Sequence, residues 1–169
     1  KSLIIEANSY KKLDDYTKAE KSILKGLELK PESNSFNHEL AKIYFKTKKY
    51  ERCLQLLLTL SEKVKRRQIL FKDIAMCYYK MNKLTESLEA VQVSLSENPE
   101  SISSLYVEGL IHKELGNFSE SISSFTKLLG LDSDNRDALY QLGKINHQRG
   151  NYREALESFD KALDFRPRD

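Results

Sequence analysis

"GNFSESISSFTKLLGLDSDN" (Gly116–Asn135) and "GNYREALESFDKALDFRPRD" (Gly150–Asp169) align without a gap. Gly, Asn, an aromatic residue, Glu, Ser, Phe and Lys recur at an offset of 34. The same interval reaches "NKLTESLEAVQVSLSENPE" from Asn82, "KKYERCLQLLLTLSEK" from Lys48 and "DDYTKAEKSILKGLELKPE" from Asp14. The chain therefore divides into five in-register copies, 1–33, 34–67, 68–101, 102–135 and 136–169, the first lacking its opening residue. A fixed period of this length is the mark of one supersecondary unit stacked upon itself.

Each copy reads as two helices. Phe71, Ile74, Ala75 and Tyr78, or Leu139, Leu142 and Gly143, keep helical spacing in the first. A short polar turn follows. The second helix opens on Tyr16, Tyr50, Leu84, Phe118 or Tyr152 and has a small residue three places on, at Ala19, Cys53, Ser87, Ser121 or Ala155. A bulky residue comes four later, at Ile23, Leu57, Val91, Phe125 or Phe159. Small against large at matching heights lets antiparallel helices interlock at about 8–10 Å between axes. Pro31, Pro99 and Pro167 close three of the copies, and proline stops a helix.

This pattern resembles the tetratricopeptide repeat over the whole chain. The resemblance is carried by Ala7, Ala41, Ala75, Gly109 and Gly143 at the eighth position, Tyr10, Tyr44 and Tyr78 at the eleventh, the small residue at the twentieth and the proline at the thirty-second. It implies an all-α fold, a right-handed superhelical solenoid of antiparallel helix pairs forming a single array over 1–169. There are departures: no tryptophan, Glu6 and Glu108 at the seventh position, and His112 and Ser133 where tyrosine and proline are usual. The start at Lys1 without a methionine suggests a piece of a longer protein. Ala162, Leu163 and Phe165 predict an apolar C-terminal end face, to be covered by further repeats, another domain or a second copy.

Composition narrows the function. Apolar residues make up 40% and charged residues 31% of 169, with a net charge of +3. Charges alternate in sign rather than forming blocks, as on solvated helix faces. No apolar run approaches the roughly twenty residues that span a bilayer, and no signal peptide is visible. Neither a nucleic-acid partner nor a membrane is expected, and a cytoplasmic setting is. The phosphate-binding, nucleophile-elbow and zinc-protease motifs are absent. Of the three histidines, His38, His112 and His147, the first and last lie three repeats apart, too far to share a metal shell. All three read as packing or surface residues, so no catalytic residue, metal or cofactor is expected. Cys53 and Cys77 read as small buried hydrophobes.

In the tetratricopeptide-repeat family the first helices line a concave groove, chiefly through the second, fifth, sixth, ninth, twelfth and thirteenth positions. The resemblance thus implies groove residues Lys42, Phe45, Lys46, Lys72, Met76, Tyr79, Lys80, Tyr106, Val107, Leu110, Lys113, Tyr140 and Lys144. Met76, Tyr79, Tyr106, Val107 and Leu110 would form an apolar floor. Lysines 11, 12, 42, 46, 72, 80, 113 and 144 would surround it and favour an acidic partner with apolar anchors. The lysine–asparagine clamp by which some co-chaperones of the family hold a carboxyl terminus is missing in every three-repeat frame. The first frame reads Ile4, Asn8, Glu39, Ile69 and Asp73. The asparagine ladder of the sugar-transferase relatives is missing too. The expected function is a non-enzymatic scaffold or adaptor that binds a peptide or helix of a partner. The alternative is a structural or assembly module of a larger protein, which could be an enzyme with its catalytic domain outside this chain.

One segment stands out locally. "LSEKVKRRQIL" (Leu60–Leu70) gathers Lys63, Lys65, Arg66 and Arg67 at the seam between the second and third copies. As an import signal or nucleic-acid grip it fits poorly. With no proline there, and with Leu57, Leu60 and Val64 on one stripe, the spacing predicts a helix that continues past Val64, its basic side chains in solvent.

Overall fold

Helices account for the architecture among the described residues, 2–65 and 67–163 of a computed structural model. They run α1 Ser2–Lys12, α2 Tyr16–Leu29, α3 Asn34–Lys46, α4 Tyr50–Lys63, α5 Gln68–Lys80, α6 Leu84–Glu97, α7 Ile102–Glu114, α8 Phe118–Leu131, α9 Arg136–Gln148 and α10 Tyr152–Leu163. Two compact units divide them: Lys1–Lys83 holds α1–α5, and Leu84–Asp169 holds α6–α10. Within each unit, sequential helices pack on one another. The first helices of the repeats end at 12, 46, 80, 114 and 148, and the second helices begin at 16, 50, 84, 118 and 152, always 34 apart.

The turn inside each repeat explains this regularity. Asp14, Lys48, Asn82, Gly116 and Gly150 all have φ between 56° and 79°. In every copy the next amide reaches back to the carbonyl five residues earlier, as Lys49 N–H does to Tyr44 at 2.8 Å and Asn117 N–H to His112 at 2.9 Å. This arrangement satisfies the last helical carbonyls and calls for a left-handed residue. Glycine meets that need freely, asparagine and aspartate tolerably, and lysine only against its Cβ. Lys48→Gly is therefore expected to stabilise the N-terminal unit by about 0.5–1 kcal/mol. A rise in the urea midpoint at unchanged slope would show it.

The first helices start on caps where the sequence supplies them. The side chains of Ser33, Ser101 and Asn135 accept from the amides of Phe36, Ser104 and Ala138, satisfying donors the helix leaves open. Arg67, before α5, makes no such bond.

The expected extension past Val64 is not observed. α4 stops at Lys63, and Val64 is extended at φ −118°, ψ 143°. The second helices α2, α4, α6 and α8 end at 29, 63, 97 and 131, so the endpoint is common to copies with and without proline. Packing of α5 against α4 requires the chain to turn back at the shared register, and this overrides the continuing apolar stripe. β-branched Val64 suits the extended conformation. Of the basic cluster, Lys63 pairs with Glu32 at 2.6 Å, Lys65 is exposed, and Arg67 lies 5.5 Å over the Phe71 ring. Arg66 is outside the described residues.

The core obeys a size rule within repeats. Ala7 and Ala41 go with Ile23 and Leu57 in the N-terminal unit, all at most 1% exposed. In the C-terminal unit the eighth position is Gly109 or Gly143, and the ring of Phe125 or Phe159 fills the space a Cβ would need. Between repeats a second set of pairs recurs. Phe36 lies against Gly26. Leu60 and Leu70 line one small recess, and Ser94 and Ser104, both buried, share a 2.8 Å hydrogen bond. The unusual Glu108 accepts from Ser124 Oγ at 2.7 Å. Of the apolar end face expected at the C-terminus, Ala162 is buried and Leu163 exposed, while Phe165 and Pro167 lie outside the described residues.

Candidate functional site

The N-terminal unit contains a cavity of about 750 Å3 open to solvent, within the range of about 300–1,000 Å3 typical of small-molecule pockets. α1, α3 and α5 supply Asn8, Lys11, Lys12, Ala41, Lys42, Phe45, Lys46, Lys72, Asp73 and Met76. The second helices α2 and α4 supply Tyr16, Cys53 and Leu57. Five residues expected at the groove thus come together here: Lys42, Phe45, Lys46, Lys72 and Met76. The contributions from α2 and α4 fall outside that expectation, because a frame built on first helices alone omits side chains that show between them. The spacing of Tyr16, Cys53 and Leu57 at matching heights was the signal available for them.

The lysines around this cavity fall into two groups. Lys11 Nζ lies 2.5 Å and Lys42 Nζ 2.8 Å from Glu39, so Glu39 ties α1 to α3. Lys72 Nζ lies 2.5 Å from Asp73, which His38 Nε2 meets at 3.2 Å from α3. By contrast, Lys12 and Lys46 have no ion-pair partner among the described residues. Each ends its helix, and the equivalent Lys80 ends α5 with its ammonium 5.6 Å over the Tyr79 ring. A cation at a helix C-terminus meets the negative end of the dipole, a favourable placement for each of these lysines. The equivalent positions in the C-terminal unit are Glu114 and Gln148. The unpaired lysine column is therefore confined to α1, α3 and α5.

Burial pushes both carboxyls up, but hydrogen bonds from Lys11 and Lys42 hold Glu39 below its usual range. Asp73 is likewise held low against burial by His38 and Lys72. A carboxyl whose folded value lies below its unfolded one stabilises the fold above the unfolded value, here about 4.5 for Glu39 and lower for Asp73. The contribution is lost as pH falls through the folded values. Stability measured by denaturant titration should fall below about pH 4.5. The Glu39→Gln/Asp73→Asn variant should show a flatter acid limb, and an unchanged slope would remove these two groups from the explanation.

The C-terminal unit holds the remaining expected residues in other settings. Tyr106 is half-buried and meets Phe125 edge-on, with ring centroids 5.7 Å apart. Val107 and Leu110 are 3% and 9% exposed, so both are core side chains rather than an open apolar floor. Their helix packs α8 on one side and α6 on the other, which leaves them little free surface. Lys113 Nζ donates to Gln141 Oε1 at 2.9 Å, the same inter-repeat link that joins Lys11 to Glu39. Tyr140 is exposed and rests on Phe159, with Lys144 5.8 Å over its ring. No cluster of three or more His, Cys, Asp or Glu suited to a metal occurs among the described residues. No helix among them is long and apolar enough to cross a membrane.

Comparison with known proteins agrees with the repeat architecture. Two tetratricopeptide-repeat models match the chain, over residues 1–33 and 106–169, together more than half of it. No curated protein sequence matches significantly. TTC0263, a thermophilic TPR protein in Thermus thermophilus, superposes with a TM-score of 0.85 at 20% identity, covering 99% of this chain and 92% of that one. The 41-end segment of MamA from Desulfovibrio magneticus RS-1 gives 0.80 at 12% identity, over 96% and 92%. YrrB, described as a TPR protein with an unusual peptide-binding site, gives 0.69 at 21%, over 96% and 84%. At these identities the likeness is one of fold. The chain belongs to the tetratricopeptide-repeat family, the all-helical repeat arrays that act as protein-interaction scaffolds.

Proposed function

We propose that the N-terminal unit binds an acidic segment of a partner protein. One apolar side chain of that segment enters the cavity over Phe45 and Met76, and its carboxylates lie along Lys12, Lys46 and Lys80. The observation that carries this reading is the column of three lysines, one at the end of each of α1, α3 and α5, without ion-pair partners among the described residues. Lys11, Lys42 and Lys72 are engaged by Glu39 and Asp73, so they shape the wall more than they recruit charge. A half-buried methionine and phenylalanine supply adaptable apolar contact. The peptide-binding site attributed to YrrB is in keeping with this reading. The protein would act as an adaptor, with no chemistry of its own.

The test is fluorescence anisotropy with synthetic peptides that carry several acidic residues and one leucine or phenylalanine, beside charge-reversed controls. Acidic peptides should bind, with affinity falling steeply as salt rises. Lys12→Glu/Lys46→Glu should weaken binding about tenfold or more, a loss of about 1.4 kcal/mol or above. Met76→Ala should weaken it without changing the salt slope. Equal binding of basic controls, or indifference to charge reversal, would exclude the lysine column as the docking edge.

A further inference from the structure

Cys53 on α4 and Cys77 on α5 are 2% and 0% exposed, and the Cys77 thiol donates to Cys53 Sγ at 3.2 Å. Packing alone does not call for this pair. Cys53 holds the twentieth repeat position, filled elsewhere by Ala19, Ser87, Ser121 and Ala155. Cys77 holds the tenth, filled by Ile43, Ile111 and Ile145 in three of the other copies. In the N-terminal unit the equivalent positions at the preceding junction hold Ala19 and Ile43, both 0% exposed and members of one core cluster. A small residue against an isoleucine thus completes this contact without sulfur. At one junction both partners change together, and both change to cysteine.

We infer that Cys53 and Cys77 form a reversible disulfide, a thiol-modification site that staples α4 to α5. The sulfurs must close from 3.2 Å to about 2.05 Å, a side-chain adjustment between helices already in contact. The co-reactant is a small-molecule disulfide. Cys53 lines the cavity and is the sulfur that such a molecule reaches first. Its thiolate attacks one sulfur of the disulfide, breaking that S–S bond and releasing one thiolate. Cys77, deprotonated as the junction opens, then attacks Cys53 Sγ. The protein S–S bond forms, the mixed disulfide breaks, and the second small thiolate leaves. The two protons lost by the cysteines end on the two small thiols, and two electrons pass from protein to oxidant. The contact with Cys53 and burial push the Cys77 thiol up, which accords with Cys53 reacting first.

The experiment uses the full chain, incubated with oxidised glutathione at a temperature a few degrees below unfolding. Intact mass and thiol titration in denaturant are read beside thermal unfolding. The expected result is a monomer lighter by about 2 Da, no titratable thiol, and a midpoint raised by about 5 °C. Dithiothreitol should reverse all three. Cys53→Ala should show no rise, and Cys53→Ala/Cys77→Ile, which copies the Ala19–Ile43 pair, should fold and ignore the oxidant. Two thiols persisting after incubation, separate glutathione adducts on each cysteine, disulfide-linked dimers, or the same midpoint rise in the double variant would each overturn the inference.

Discussion

Replacing Phe125 by alanine is expected to lower the stability of the C-terminal unit by about 4 kcal/mol, the largest effect of any single truncation considered. Phe125 is fully buried, its ring lies against Gly109, and Tyr106 meets it edge-on. The ring occupies space that exists only because the facing helix has no Cβ there. Gly109→Ala places a carbon about 2.7 Å from the ring, and overpacking of this sort costs about 1–3 kcal/mol. The better helix propensity of alanine returns about 1 kcal/mol. The informative variant is Gly109→Ala/Phe125→Leu, which installs the alanine–leucine combination found at Ala41 and Leu57. It should be more stable than Phe125→Leu alone, giving a favourable coupling of about 1 kcal/mol or more in a double-mutant cycle. Additive losses would mean that glycine and phenylalanine are not matched to each other.

Leu57→Ala is expected to cost about 3 kcal/mol in the N-terminal unit, because Leu57 is 1% exposed. It also lines the floor of the cavity, so truncation should deepen the site as it weakens the fold. Half-buried Met76 lines the same cavity from α5, and Met76→Ala should cost no more than about 1 kcal/mol. The two variants separate stability from recognition. Urea midpoints should fall strongly for Leu57→Ala and weakly for Met76→Ala, while peptide affinity at a temperature where both are folded should suffer more from Met76→Ala. The reverse order would place the anchor pocket elsewhere. Because each repeat is stabilised by its neighbours, the Leu57→Ala loss should also weaken amide protection in α3 and α5.

The helix pairs and their period were legible in the sequence, since size and polarity recur at 34-residue intervals from Tyr16 to Tyr152. The end of α4 was not. Proline at Pro31 and Pro99 suggested a local stop signal, yet Lys63 ends its helix at the same place without one, because the neighbouring helix sets the endpoint. The division of the lysines into paired and unpaired was also hidden. Glu39 is 28 residues from Lys11, and Asp73 is 35 from His38; only the stacking of one copy on the next brings them together. The floor expected from Val107 and Leu110 failed for a related reason: a helix-face projection does not tell an inward side chain from one covered by a neighbouring repeat. Burial of each cysteine was legible from its repeat position, but their pairing across 24 residues follows from the same stacking.

The pairs that join one repeat to the next make the order of the copies part of the design. Gly26 accepts Phe36, Leu60 and Leu70 line one recess, and Ser94 bonds Ser104; Leu128 and Ala138, both fully buried, hold the equivalent places at the last junction. Helix boundaries would let any 34-residue cassette be spliced after any other, but these side chains would not. A duplicate of 34–67 inserted after itself would press Phe36 against Leu60 instead of Gly26. A duplicate of 102–135 would set the Ser104 hydroxyl against Leu128 with no Ser94 to receive it. Such an array can lengthen by duplication only if the new junction mutates with it, so each seam carries its own record of which neighbour it was built to receive.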